Sequence, residues 1–103
     1  MTPEQALDKQ IMLYCGEHNW LCFHINVGGG ELKRGGYFRT GVPIGWPDLT
    51  ILTDTGDVIF CETKIHPRKP TIDQIRFIEN LNKRGFKAFV AYNLQEFIDE
   101  VEK

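Results

Sequence analysis

Asp48-Leu49-Thr50-Ile51-Leu52-Thr53-Asp54-Thr55-Gly56-Asp57-Val58-Ile59-Phe60-Cys61-Glu62-Thr63-Lys64 is the stretch that decides the fold. Two β-rich runs, 48–53 and 58–64, flank polar turn residues that include Gly56, and this pattern predicts a hairpin. A turn at 54–57 brings residues 48–50 roughly opposite 61–63. Strand alternation puts Glu62 and Lys64 on one side and Thr63 on the other. Apolar neighbours surround both acids: Leu49, Ile51 and Leu52 beside Asp48, and Ile59, Phe60 and Cys61 beside Glu62. Acids in such strands are costly unless they are paired or bind a cation.

Toward the C-terminus, His66-Pro67-Arg68-Lys69-Pro70 must be a loop, because two prolines exclude regular structure. Thr71-Ile72-Asp73-Gln74 opens a helix with a capping-box pattern. Ile72, Ile75, Ile78 and Leu81 are predicted to be its buried stripe, and Gly85 its stop. Phe86 to Tyr92 reads as a strand, and Asn93 caps a final helix toward Val101. The step from strand 58–64 through helix 71–84 to strand 86–92 has the length of a right-handed crossover between parallel strands.

Toward the N-terminus, Thr2-Pro3-Glu4-Gln5 starts a helix, with Thr2 as cap and Gln5 completing the box. Leu7, Ile11, Tyr14 and Cys15 form its apolar stripe, and Gly16 is placed to end it. Trp20 to Val27 reads as a strand. From Gly28 to Gly45 the periodicity dissolves into glycines among basic and aromatic residues. A loop this long tends to carry function, and a short hairpin fits within it. The expected architecture is α/β: helix, three strands, helix, strand, helix, with a mixed sheet flanked by helices.

The chain has 103 residues, 42% of them hydrophobic, which suits one domain with a real core. The net charge of −2 is not that of a strongly basic nucleic-acid binder. Its distribution says more. Lys64, Arg68, Lys69, Arg76, Lys83, Arg84 and Lys87 outnumber Asp73 and Glu79 in the same stretch, and Lys33, Arg34 and Arg39 form a second basic group. Ordinary solvated faces would also give this pattern. Cys15, Cys22 and Cys61 lie in apolar runs without CxxC spacing, as expected of reduced thiols in a cytosolic protein rather than of a zinc site. Neither a signal peptide nor a membrane span is expected.

The hairpin lets Asp48 and Glu62 share a cation. Magnesium favours oxygen ligands and keeps several waters, so two carboxylates and a backbone carbonyl such as that of Thr63 would suffice. Such a site suits metal-assisted phosphodiester hydrolysis, with Lys64 orienting the attacking water or balancing phosphate charge. Taken alone, the same residues also suit an ordinary charged hairpin face.

Gly45-Trp46-Pro47-Asp48-Leu49, Glu62-Thr63-Lys64 and the following Gln74, in this order and spacing, resemble the PD-(D/E)XK nucleases, and among them the stand-alone VRR-NUC domains. The resemblance spans essentially the whole chain. It implies a restriction-endonuclease-like αβββαβ core with an extra C-terminal helix. It also implies Asp48 and Glu62 as ligands of Mg²⁺ or Mn²⁺, Lys64 as the catalytic lysine, Gln74 as a helix residue near the site, and an acid from the first helix. Glu4 is the choice for that acid, with Asp8 on the same side as the alternative. Gln74 shares a face with Phe77, Ile78 and Leu81, and it also completes a capping box with Thr71.

The resemblance further implies a homodimer that cuts branched DNA such as four-way junctions, in a recombination or repair setting. Lys33, Arg34, Arg39, Arg68 and Lys69 are candidate phosphate contacts. Tyr37, Phe38 and Trp46 suit base stacking, but core packing or loop anchoring is the favoured reading. His66 reads as an exposed loop residue, and neither His18 nor His24 has a partner at ligand spacing. Thr63, where aliphatic residues are common in such families, and the long glycine-rich loop depart from the pattern. A non-cleaving DNA-binding module and a small protein-interaction domain remain open as other classes.

Overall fold

Two of the three helix starts carry the reciprocal bonds the sequence specifies. The Gln5 amide donates to Thr2 Oγ1 at 3.1 Å, and the Thr2 amide donates back to Gln5 Oε1 at 2.9 Å. Thr71 and Gln74 repeat the box at 3.2 and 2.9 Å. At the third start, Asn93 Oδ1 accepts from the Glu96 amide. The computed structural model describes residues 1–25, 29–39 and 41–103, with the backbone alone for 29–31, 38 and 39. The end of the predicted 20–27 strand, at Asn26 and Val27, lies outside the described residues. So do the side chains of Phe38 and Arg39.

The elements run α1 (Pro3–Glu17), β1 (Leu21–His24), β2 (Gly29–Glu31), β3 (Tyr37–Arg39), β4 (Leu49–Leu52), β5 (Val58–Thr63), α2 (Ile72–Lys83), β6 (Lys87–Ala91) and α3 (Leu94–Val101). The main sheet has the order β1-β4-β5-β6. Strands β1 and β4 pair antiparallel, as do β4 and β5, whereas β5 and β6 are parallel across the α2 crossover. The mixed sheet and the αβββαβ core therefore match the sequence expectation. The short hairpin of the glycine-rich segment is the separate ribbon β2–β3.

Alternation divides the core between the two faces of the sheet. Leu49, Ile51, Ile59, Cys61, Phe89 and Ala91 pack with Leu7, Ile11 and Cys15 of α1 and Phe97 of α3. Phe60 and Ala88 face the opposite way, against Leu81 of α2, with Trp46, Val58 and Ile78 around them. Cys15, Cys22 and Cys61 are all free thiols, and two of them are buried. No helix among the described residues is long and apolar enough to cross a membrane.

Two local expectations are corrected. Helix α1 runs through Gly16 to Glu17, and Asn19 takes the left-handed conformation instead, at φ 59°. Asparagine tolerates that region better than most residues, so the chain can turn there into β1. The predicted α2 stripe is also rotated. Ile72 is 68% exposed and Ile75 42%, whereas Gln74, Phe77 and Ile78 are half-buried and Leu81 is buried. The 74, 77, 78, 81 spacing is the true inward face, set by where the helix crosses β5 and β6. Because α2 covers only that half of the sheet, Leu21, Phe23 and Leu52 of β1 and β4 stay exposed.

The turn before β4 is wedged against the start of α2. Gly45 has φ +98°, and a Cβ there would lie 2.7 Å from the Asp73 carbonyl oxygen. Trp46 follows, meeting Phe60 and Phe77 edge-on. Trp46 is thus a packing residue that anchors the turn rather than a base-stacking platform. Pro47 is fully buried behind it, and Asp48 emerges at the start of β4.

Candidate metal centre

The β4–β5 register pairs Leu49 with Cys61, so one step further Asp48 stands opposite Glu62. Helix α1 delivers Glu4 to the same place. Carboxylate oxygens of Glu4, Asp48 and Glu62 lie within 4.8 Å of one another. Asp48 and Glu62, derived from the hairpin, and Glu4, preferred over Asp8 for the first helix, are therefore brought together.

Glu62 is the most constrained of the three, at 1% exposure. Its Oε2 lies 3.7 Å from Lys64 Nζ, itself buried. Its Oε1 is buried without a hydrogen-bond partner. Burial first, and then the adjacent Asp48 carboxyl, push the Glu62 pKa up to about 9, against the opposing charge of Lys64. A buried carboxylate with one orphaned oxygen, grouped with two further acids, is an arrangement that a hard divalent cation satisfies, since such ions take oxygen ligands. The donor set fits Mg²⁺ or Mn²⁺ and lacks the nitrogen and sulfur ligands of a zinc site.

Thr63 points to the other face of β5, as alternation requires. Its amide donates to Asp48 Oδ2 at 3.3 Å. Its hydroxyl lies 3.1 Å from the same oxygen and 2.7 Å from Asp8 Oδ1. Asp8 thus meets Thr63, outside the Glu4, Asp48 and Glu62 group, and burial raises its pKa, opposed by the Thr63 hydrogen bond. His24 Nε2 stands 3.7 Å from Asp8 Oδ2. Sequence reading gave His24 no partner. The available signal was strand alternation, which puts His24 on the α1 side with Cys22.

The remaining candidates are distributed unevenly. Arg68 NH1 reaches within 3.9 Å of Glu4 Oε2, which sets a guanidinium at the rim of the carboxylates. Lys69 is exposed beside it, and Lys33 and Arg34 are exposed between β2 and β3. Among the described residues, none of these three pairs with a carboxylate of the centre. Gln74 is half-buried, and its side-chain oxygen is committed to the Thr71 amide. His66 is exposed and stacked on Tyr92 at 4.1 Å.

No family model matches this sequence, and no curated protein matches it either. A solved structure described as a VRR_NUC domain superposes on it with a TM-score of 0.74. The alignment covers 99% of this chain and 97% of that one, at 23% sequence identity. Similarity this extensive at so low an identity speaks for the backbone arrangement: a mixed four-stranded sheet, a crossover helix and a first helix set against the hairpin. The chain has the fold of a VRR-NUC domain, in the restriction-endonuclease-like class.

Proposed function

We propose that this chain is a metal-dependent deoxyribonuclease that hydrolyses phosphodiester bonds. The observation that carries the reading is the buried, unpartnered Glu62 Oε1 inside a three-carboxylate cluster with Lys64 beside it. The VRR_NUC fold supports the same class of chemistry. Asp48, Glu62 and Glu4 hold Mg²⁺ or Mn²⁺, joined by the Thr63 backbone carbonyl. Support for that carbonyl comes from its amide, which points at Asp48. In an antiparallel strand the N–H and C=O of one residue face the same neighbour. When bound, the cation supplies a water of lowered pKa and neutralises charge at the phosphate.

Lys64 holds positive charge next to Glu62, where the attacking water or a phosphate oxygen would lie. Gln74 is assigned a lesser role at the edge of the site, through the amide nitrogen that the capping box leaves over. Arg68 and Lys69 meet the DNA backbone at the rim, and Lys33, Arg34 and Arg39 meet it farther along. The substrate is branched DNA such as a four-way junction, cut by a homodimer whose two-fold axis pairs the sites. The exposed Leu21, Phe23 and Leu52 supply an apolar face for a second copy. Free thiols suit the reducing cytoplasm.

Purified protein incubated with linear duplex and four-way-junction DNA, with Mg²⁺, Mn²⁺ or chelator, tests the reading. Cleavage that needs the cation, favours the junction and disappears in Asp48→Asn and Glu62→Gln is expected. Cutting that survives both substitutions overturns the assigned centre. Salt-sensitive binding without cutting identifies a silent DNA-binding module instead. Light scattering reads the assembly, and a monomer that still makes paired junction cuts contradicts the two-fold arrangement.

A further inference from the structure

Behind the carboxylate cluster, the Thr63 hydroxyl has one hydrogen and two carboxyl neighbours. Asp8 Oδ1 is 2.7 Å away and Asp48 Oδ2 is 3.1 Å away. Thr63 is fully buried and Asp8 nearly so. The hydroxyl donates to both carboxylates, more closely to Asp8. That shared hydrogen and the Thr63 amide together hold Asp48 Oδ2. Asp8 also lies one helical turn after Glu4 on the same face of α1. Seating Asp8 against β5 therefore sets the register in which Glu4 reaches the cluster. His24 flanks the second oxygen of Asp8 and completes its surroundings.

We infer that the side chains of Asp8 and Thr63 are a positioning pair: these side chains bind no cation themselves but lock the Asp48 carboxylate and the α1 register in the geometry that binds one. This rests on the metal-centre reading proposed above. It gives the Asp8 and Thr63 side chains a role distinct from that of the ligand atoms, although Asp8 carries a carboxylate close by. It also explains why a hydroxyl stands at Thr63, where an aliphatic side chain would fill the volume equally well. A β-branched hydrocarbon there would strip Asp8 Oδ1 of its donor and leave Asp48 Oδ2 held by the Thr63 amide alone.

The test is Mn²⁺ binding to the whole chain by calorimetry, without DNA, with melting in chelator as the check on folding. Thr63→Val should weaken Mn²⁺ about 10–100-fold, the range for residues that orient metal ligands. Thr63→Ser, which keeps the hydroxyl, should restore affinity to near that of the wild type. Asp8→Ala should reproduce the loss without touching β5, and Asp8→Asn, which keeps an acceptor, should recover most of it. This second pair decides the matter should Thr63→Val fail to fold. Rescue by serine and asparagine is what a merely structural role would not produce. Wild-type affinity in Thr63→Val and Asp8→Ala, or serine as weak as valine, overturns the inference. Asp48→Asn separates the two levels. If it loses Mn²⁺ while Thr63→Val does not, only the positioning pair fails. If it binds as the wild type does, the metal centre itself fails and takes the pair with it.

Discussion

Asp48 stands opposite Glu62, one residue beyond the Leu49–Cys61 pair of the β4–β5 ladder. A hairpin register thus holds two carboxylates face to face, Glu62 buried and Asp48 half-buried. Burial first, and then the neighbouring Asp48 carboxyl, raise the pKa of Glu62. The proposed affinity for a cation would have the same origin as this electrostatic strain.

Metal affinity should therefore rise with pH. Glu62 has a pKa of about 9 and must lose its proton to bind a cation. Between about pH 6 and about pH 8 the apparent Mn²⁺ affinity should increase by up to ~10-fold per pH unit, because deprotonation is linked to binding. Calorimetry in buffers of different ionisation enthalpy should register about one proton released per ion. A flat profile would contradict the assignment.

The stability of the metal-free protein should run the other way. The Glu62 pKa is raised above its ordinary 4.5, so the folded state binds more protons than the unfolded chain between that value and about 9. The contribution is fully present below the unfolded pKa and is lost as pH rises through about 9. Asp8, also raised, acts in the same direction. Glu62→Gln should flatten this slope and stabilise the chelated protein at pH 8 by about 1–2 kcal/mol, as removal of a functional strain commonly does. Urea titrations in chelator at several pH values check both statements.

Lys64 should separate binding from turnover. Its ammonium offsets Glu62 in the metal-free protein and therefore competes with the cation. Lys64→Met should leave Mn²⁺ affinity undiminished while cleavage falls by about 10²–10³-fold, the cost of losing one preorganised charge at a reacting phosphate. Calorimetry beside single-turnover cleavage distinguishes this from a lost ligand, which would depress both.

Gly45→Ala should cost more than Gly56→Ala. Both glycines have positive φ, at +98° and +89°, but only Gly45 has backbone in the way, the Asp73 carbonyl. The strain common to both is about 1–2 kcal/mol. Overpacking at Gly45 adds roughly 1–3 kcal/mol. Because the same turn delivers Asp48, Gly45→Ala should also weaken Mn²⁺, and Gly56→Ala should not. Chemical denaturation and metal titration of the two variants make the comparison.

Arg68→Ala should lower DNA affinity evenly across sequences. With the exposed guanidinium beside Glu4 in its proposed role as a backbone contact, its removal should reduce the slope of log affinity against log salt by about 1. An unchanged slope would remove Arg68 from the interface.

The sequence by itself determined the ladder of elements, because capping boxes, turn residues and alternation are local. Thr2 with Gln5, Thr71 with Gln74, and the polar turn around Gly56 each act within a few residues, and each is found as written. The same alternation determined that Glu62 and Lys64 share a side and that Thr63 does not. The sequence offered two faces of α2, one through Ile72 and Ile75 and one through Gln74 and Phe77, and only the tertiary structure decided between them. Gln74, Phe77, Ile78 and Leu81 won over the isoleucines at 72 and 75 because the crossover, not hydrophobicity, sets the rotation of the helix over β5 and β6. It also decided between Glu4 and Asp8. These acids lie one turn apart on the same face of α1, so no periodicity separates them. The docking of the helix sends Glu4 to Glu62 and Asp8 to the Thr63 hydroxyl. His24 joined Asp8 for the same reason: pairing across sixteen residues of chain is a product of packing, and packing is where local rules end.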